Sequence, residues 1–218
     1  MRTHKIATLA LAVSAAFSSS VLAQEAATTE KKEASLEQIT VTAQKRTQSI
    51  QEVPISVATL SGEKFESLFS GGEDILALAV RVPGLYAESS NGRVAPRFYI
   101  RGLGNTDFDL AASQPVSIIM DEVVMENVGL KSFPLFDVQQ VEVLRGPQGT
   151  LFGRNTTAGI IKFDTVKPTQ DLEGYAKAGF GSYGTMNFEG AISGGLTDEL
   201  SARLSLLSQE RDDYIDNA

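Results

Sequence analysis

Between Val53 and Phe163 apolar and polar residues alternate with a period of two in several short runs, a pattern that predicts strands. Val53–Leu60 alternates around Pro54 and reads as a short edge strand, because proline removes a ladder donor. Ser61 stands where a cap belongs for a helix over Gly62–Phe69. A second helix is expected near Glu73–Val80, with Ile75, Leu76, Leu78 and Ala79 as its apolar face, stopped by Arg81-Val82-Pro83-Gly84-Leu85. Phe98–Arg101, Val116–Met120, Val123–Met125 and Val141–Leu144 read as further strands, and Phe136–Gln140 leads into the last. Three polar stretches lie between them: Ala87–Ala95, Gly104–Gln114 and Asn127–Phe133. The turn at Asp121-Glu122 lacks the glycine that a tight hairpin favours, which leaves its type open. Gly149, Gly153 and Gly159 punctuate a segment without helical period, before Gly159–Phe163 resumes as a strand. The sum is an α+β domain over 53–166, with a small mixed sheet, short helices on one side and three polar loops.

Lys167-Pro168-Thr169 marks a boundary, and the pattern changes beyond it. In Gly174–Ser182, Ala176, Ala178 and Phe180 oppose Tyr175, Lys177 and Gly179. In Thr185–Leu196, Met186, Phe188, Ile192 and Leu196 oppose Thr185, Asn187, Glu189 and Ser193. In Leu200–Leu206, Leu200, Ala202, Leu204 and Leu206 oppose Ser201, Arg203 and Ser205. Three such segments joined by short polar turns suit transmembrane β-hairpins, apolar toward lipid and polar toward a lumen. A half-buried soluble sheet would alternate in the same way, so the pattern alone leaves both open.

The first 52 residues are different. Arg2 and Lys5 precede an apolar stretch, Ile6–Phe17, and Val21-Leu22-Ala23 supplies the small residues of a cleavage site, so Met1–Ala23 reads as a secretory signal peptide. Its apolar stretch is short of the ~20 residues that span a bilayer. Residues 24–52 are expected to be disordered, being polar and without an apolar face, apart from one strand-forming insert. That insert is Glu37–Ala43, EQITVTA, in which Ile39 and Val41 alternate with Thr40 and Thr42. Flanked by polar tethers, it is free to join a partner's sheet edge; the alternative is a strand that joins this protein's own fold. About five backbone hydrogen bonds at a net ~1 kcal/mol each give a grip both specific and releasable. From Val41 to Val53 the tether reaches about 40 Å when extended.

Charge and composition then exclude several functions. The formal charge is −8, and without the leader 17 basic residues face 27 acidic ones, which opposes nucleic-acid binding. There is no cysteine, and the single histidine is His4, within the leader. Thiolate or imidazole metal sites and histidine acid–base catalysis are thereby excluded from residues 24–218. No cofactor is expected.

Leu144–Phe163, LRGPQGTLFGRNTTAGIIKF, resembles the end of the plug domain of TonB-dependent outer-membrane receptors. A phosphate-cradling loop is the competing reading of its glycines, and the Gly-Lys-Ser/Thr which that loop needs does not follow. Glu37–Ala43 resembles a TonB box, and the strand, helices and VPGL of Val53–Leu85 resemble the same family.

The resemblance implies a fold: an α+β plug domain followed, over 173–218, by the first antiparallel strands of a transmembrane β-barrel. Three strands cannot close a barrel and lipid tolerates no open edge, so the sequence is expected to be the N-terminal fragment of a longer receptor. The 13 residues of Gln24–Leu36 are too few for the folded periplasmic domain that signalling members carry.

It also implies a function, energised uptake of a scarce, large solute across the Gram-negative outer membrane. A ferric siderophore is the usual cargo; haem, cobalamin and oligosaccharides are the alternatives. The partners implied are TonB, outer-membrane lipid and an extracellular small-molecule chelate or oligomer. TonB would pair as a strand with the periplasmic segment Glu37, Gln38, Ile39, Thr40, Val41, Thr42 and Ala43. Arg101 and Arg145, in IRG and LRGP, would latch the plug to carboxylates of the barrel wall. Asn91, Arg93, Asn105, Asp107, Phe108 and Asn127, on the polar loops, are the candidates for substrate contact. Two readings from other classes remain. One is a secreted soluble β-sheet binding module; the other is an enzyme built on Asp121-Glu122 or Asp212-Asp213.

Overall fold

The computed structural model describes residues 39–42, 44–69, 74–89, 94–107, 109 and 111–212. The leader, Glu37, Gln38, Ala43, Asn91, Arg93 and Phe108 lie outside the described residues.

A five-stranded mixed sheet forms the centre, in the order β3–β8–β9–β6–β7, with β3 Ser56–Ser61, β6 Val116–Met120, β7 Val123–Val124, β8 Val138–Arg145 and β9 Gly159–Thr165. β8 runs antiparallel to β3 and β9, whereas β6 and β9 are parallel, with Ile118 opposite Ile161. The alternation read from the sequence sets the two faces. Val141, Val143, Ile161, Phe163 and Ile118 point to one side. There they pack against Phe65 and Phe69 of α1 (Gly62–Phe69), Leu78 of α2 (Leu78–Arg81), and Phe98 and Ile100 of β5 (Arg97–Ile100). Leu144, Ile160 and Ile119 point to the other side and meet Val41, Val53 and Phe152. This second, smaller core is what the N-terminal segment covers.

Several elements depart from the sequence reading. The second helix begins as a 3-10 turn, Ile75–Ala77, because the Asp74 side chain accepts the Leu76 amide at 3.0 Å and starts it there. The first polar loop is shortened by β4, Leu85–Glu88, which pairs antiparallel with β5 and turns Leu85 and Ala87 into the core. The glycine-rich segment contains one helical turn, α3 (Gly149–Phe152), which lodges Phe152 in the second core.

The Asp121-Glu122 turn is settled: both residues are left-handed, at φ 45° and 70°, which makes a type I′ hairpin. Their side chains explain how two non-glycines hold it. Asp121 accepts from the Thr165 amide and hydroxyl and from Lys167, and Glu122 pairs with Lys162 at 3.1 Å.

The main correction concerns the N-terminal segment. Residues 39–42 and 44–52 were expected to form a free tether. Instead β1 (Thr40–Val41) and β2 (Gln48–Ser49) form a hairpin that lies on the sheet. The physical reason is Val41, which is 1% exposed among Leu144, Ile160 and Ile119. An apolar side chain that finds a vacant apolar face stays on it.

Beyond the boundary, β10 (Glu173–Phe180), β11 (Met186–Gly195) and β12 (Ser201–Glu210) form a separate antiparallel sheet. Its polarity is inverted relative to a soluble sheet. Phe180, Phe188, Ile192, Leu204 and Leu206 face outward and are 48–74% exposed, while Ser193 and Arg203 face the plug and are buried. The alternation that left two readings open is therefore a membrane pattern, apolar toward lipid.

Candidate functional site

Three sites follow from this layout. The first lies under the β1–β2 hairpin. Glu142 of β8 and Lys162 of β9 stand opposite each other, 0% and 1% exposed. Lys162 Nζ donates to both oxygens of Asp164, at 2.6 and 2.8 Å, and to Thr42 Oγ1 at 2.7 Å. Glu142 Oε1 accepts the Thr42 amide at 2.6 Å, and Gln140 Nε2 donates to the Thr40 carbonyl at 3.0 Å. Burial pushes the Glu142 carboxyl above its ordinary range, against the opposing pull of the Thr42 amide and Lys162. Burial alone would lower the Lys162 ammonium; Asp164 and then Glu122 outweigh it and raise it. The cluster thus keeps its cation and ties Thr40 and Thr42 to the sheet. Of the seven residues expected to engage a partner, Ile39 is 43% exposed, Thr40 exposed and Thr42 half-buried.

The second site joins plug and wall. Asp137, just before β8, faces Arg203 of β12 in a two-pronged pair: Arg203 Nε donates to one oxygen at 2.8 Å and a second guanidinium nitrogen to the other. Ser205 donates to the same carboxylate, and beside them Tyr175 donates to Glu189 at 2.5 Å. Burial would raise the Asp137 carboxyl, but the hydrogen bonds from Arg203 and Ser205 hold it below its usual value. A cavity of about 370 Å³ opens on the same seam, lined by Phe65, Phe69, Phe136, Tyr175, Lys177 and Glu189. Sequence reasoning placed Arg203 on the polar face of its strand but did not find the pair. The legible signal was an arginine on the inward face of a wall strand, which needs a buried counter-charge.

The third site holds the two arginines expected to act as latches. Arg145 donates to the Pro83 carbonyl at 2.9 Å and to Ser56 Oγ at 3.3 Å. Arg101 is exposed, left-handed at φ 53°, and its amide donates to the Gly84 carbonyl. Burial, then the nearby Arg101 charge, lowers the Arg145 guanidinium. Two like charges share this corner, and the described residues bring no carboxylate within ion-pair distance of either.

Of the loop candidates, Asn105, Asp107 and Asn127 lie among the described residues. Asn105 accepts the Asp107 amide, Asp107 accepts the Asp109 amide and Asp109 accepts the Ala111 amide, each at 2.9–3.0 Å. The side chains thus brace their own loop. Asn127 caps the 3-10 turn Val128–Lys131 by accepting the Gly129 amide at 2.9 Å. Among the described residues no group of three or more His, Cys, Asp or Glu is placed to hold a metal ion.

The sequence profile of the TonB-dependent receptor plug domain matches residues 49–160. The chain is 30% identical over 173 residues to the pesticin receptor of Yersinia pestis, covering 72% of this chain and 26% of that protein. It is 28% identical over 211 residues to the iron-regulated outer membrane virulence protein of Vibrio cholerae, covering 90% and 30%. Among solved structures it is similar to the ferric yersiniabactin uptake receptor FyuA of Yersinia pestis, with a TM-score of 0.63, 28% identity and coverage of 70% of this chain and 24% of that one. The chain therefore spans 24–30% of the length of these relatives. A plug profile over half of the sequence, against a sheet with its apolar face outward, gives one result: the chain belongs to the plug-domain family of TonB-dependent receptors, which are receptors of the Gram-negative outer membrane and not enzymes.

Proposed function

We propose that the chain supplies the plug and first wall strands of a transporter that takes a ferric siderophore across the outer membrane, energised by TonB acting on residues 37–43. The observation that carries the transport reading is the seam at Asp137 and Arg203, where a plug strand meets a wall whose outer face is apolar. A secreted soluble module would turn that face inward. The cargo reading is supported by two relatives, one described as iron-regulated and one as a ferric chelate uptake receptor. Haem, cobalamin and oligosaccharides are the competing cargoes.

The outer membrane has neither nucleotide nor ion gradient to draw on, so work has to reach the plug through the chain itself. TonB pairs with the backbone of the box as an added strand and pulls. The hairpin lifts from the second core, and part of the plug follows. Cargo meets the loops that carry Asn91, Arg93, Asn105, Asp107, Phe108 and Asn127. Arg101 and Arg145, left with a like-charge neighbour, take wall carboxylates as counter-ions.

The test is Thr42→Pro in the receptor that carries this chain. Proline removes a strand donor, so cargo uptake by cells should fall to background while binding of the ferric chelate to isolated membranes is retained. Uptake at the wild-type rate would sink the box. For the cargo, a panel of ferric siderophores, haem, cobalamin and oligosaccharides is titrated against the purified receptor; saturable binding of haem, cobalamin or an oligosaccharide alone would replace the siderophore reading.

A further inference from the structure

The box strand has two hydrogen-bonding edges. Successive residues of a strand send their backbone groups to opposite sides, so Ile39 and Val41 share one edge and Thr40 and Thr42 the other. β2 covers the first: the Ile50 amide donates to the Ile39 carbonyl at 3.0 Å. The second edge is met by side chains of β8. Gln140 donates its amide to the Thr40 carbonyl, and Glu142 offers a carboxylate oxygen to the Thr42 amide. A donor and an acceptor two residues apart on β8 match an acceptor and a donor two residues apart on β1, which is what a neighbouring strand would supply. Gln140 Nε2 also donates to Glu142 Oε1 at 2.5 Å, so the two side chains act as one unit.

We infer that Gln140 and Glu142 form a surrogate strand occupying the backbone edge that a TonB strand needs, so that clamp and partner compete for the Thr40 carbonyl and the Thr42 amide. The inference rests on the box reading above. The partner it fits is an extended segment offering backbone groups in strand register, and it exchanges places with two side chains without disturbing the central sheet. The clamp is also built to yield. Glu142 is fully buried, yet its second oxygen, Oε2, accepts no hydrogen bond, and a half-satisfied buried carboxylate is held less firmly than a fully paired one. Lys162 does not depend on it, since Asp164 and Glu122 remain its partners when Thr42 leaves.

The experiment measures the affinity of the soluble periplasmic domain of TonB for the detergent-purified receptor without cargo. The variants are Gln140→Ala, Glu142→Gln and the two together. Gln140→Ala removes one neutral competitor and should tighten binding about 2- to 10-fold; the double variant, which also removes the charge, should tighten it about 10- to 100-fold. Amide exchange at Thr42 should speed up in the same order. Thr42→Pro, which removes the amide that clamp and partner share, is the control. If it abolishes binding while the clamp variants leave affinity and exchange unchanged, the competition is overturned and the box stands. If it leaves binding intact, the box reading itself fails. Should Glu142→Gln lose the amide protection of β8 and β9, Gln140→Ala, at a half-exposed position, decides the question alone.

Discussion

Asp137→Ala is expected to loosen the plug from the wall more than any surface ion pair would. Asp137 and Arg203 are 7% and 9% exposed, and the substitution leaves a buried guanidinium without its two-pronged acceptor. Breaking one side of such a pair costs about 3–5 kcal/mol, whereas an exposed pair is worth about 1 or less. Asp137 is also left-handed at φ 50°, where alanine is disfavoured by about 1–2 kcal/mol. A cycle with Arg203→Ala separates the two, because the backbone strain is common to both Asp137→Ala backgrounds and cancels. The coupling between the sites should be about 2–3 kcal/mol. The assay is urea unfolding of the detergent-solubilised protein, read by near-ultraviolet dichroism of the tyrosines, Tyr175 lying beside the pair. The pH dependence has a fixed sign. The Asp137 carboxyl is depressed in the folded protein, so its stabilisation is present above the ordinary carboxylate value and disappears as pH falls through the folded one. Wild type and variant should therefore converge below about pH 4. A loss under about 1 kcal/mol at pH 7, or no measurable coupling to Arg203, would refute the assignment of this contact as a buried anchor.

Two further outcomes follow from neighbouring geometry. Lys162→Met leaves Glu122, Glu142 and Asp164 without their shared cation and should cost about 3–5 kcal/mol at neutral pH by urea titration. The deficit should shrink as pH falls toward about 5, because the folded state already favours protonated Glu142 and binds that proton more tightly once the ammonium is gone. Gly159→Ala should cost at least about 2 kcal/mol and lower the unfolding midpoint, because its Cβ would lie 2.2 Å from the Leu144 carbonyl at a φ of 149°.

Much of this architecture was legible from alternation. Val141, Val143, Ile161 and Phe163 announced their shared face, α1 fell on Gly62–Phe69, and β6 fell on Val116–Met120. What alternation cannot give is direction, since β10–β12 alternate identically whether the apolar face meets a core or lipid. Only the burial of Arg203 and Ser193 on the plug side distinguishes them. The N-terminal hairpin was misread for a related reason. A strand as short as β1 leaves almost no periodic trace, and its stability comes from Leu144, Ile160 and Ile119, more than 70 residues away in sequence. The loop residues were picked for polarity, yet Asn105, Asp107 and Asn127 use that polarity on their own backbone. Glu142 and Lys162 were not singled out, because their partner Thr42 lies 100 and 120 residues away.

The position of β3 at the edge of the central sheet has a mechanical consequence. A force applied on the N-terminal side of Ile39 meets β1, β2 and β3 in that order, and β3 is bonded on one side only, through six paired residues with β8. Extraction of β1, β2 and β3 therefore releases about 75 Å of extended chain up to Ser61 while β8, β9, β6 and β7 stay joined and Asp137 keeps its hold on the wall. Topology, rather than bond strength, lets that length leave without opening the rest of the sheet.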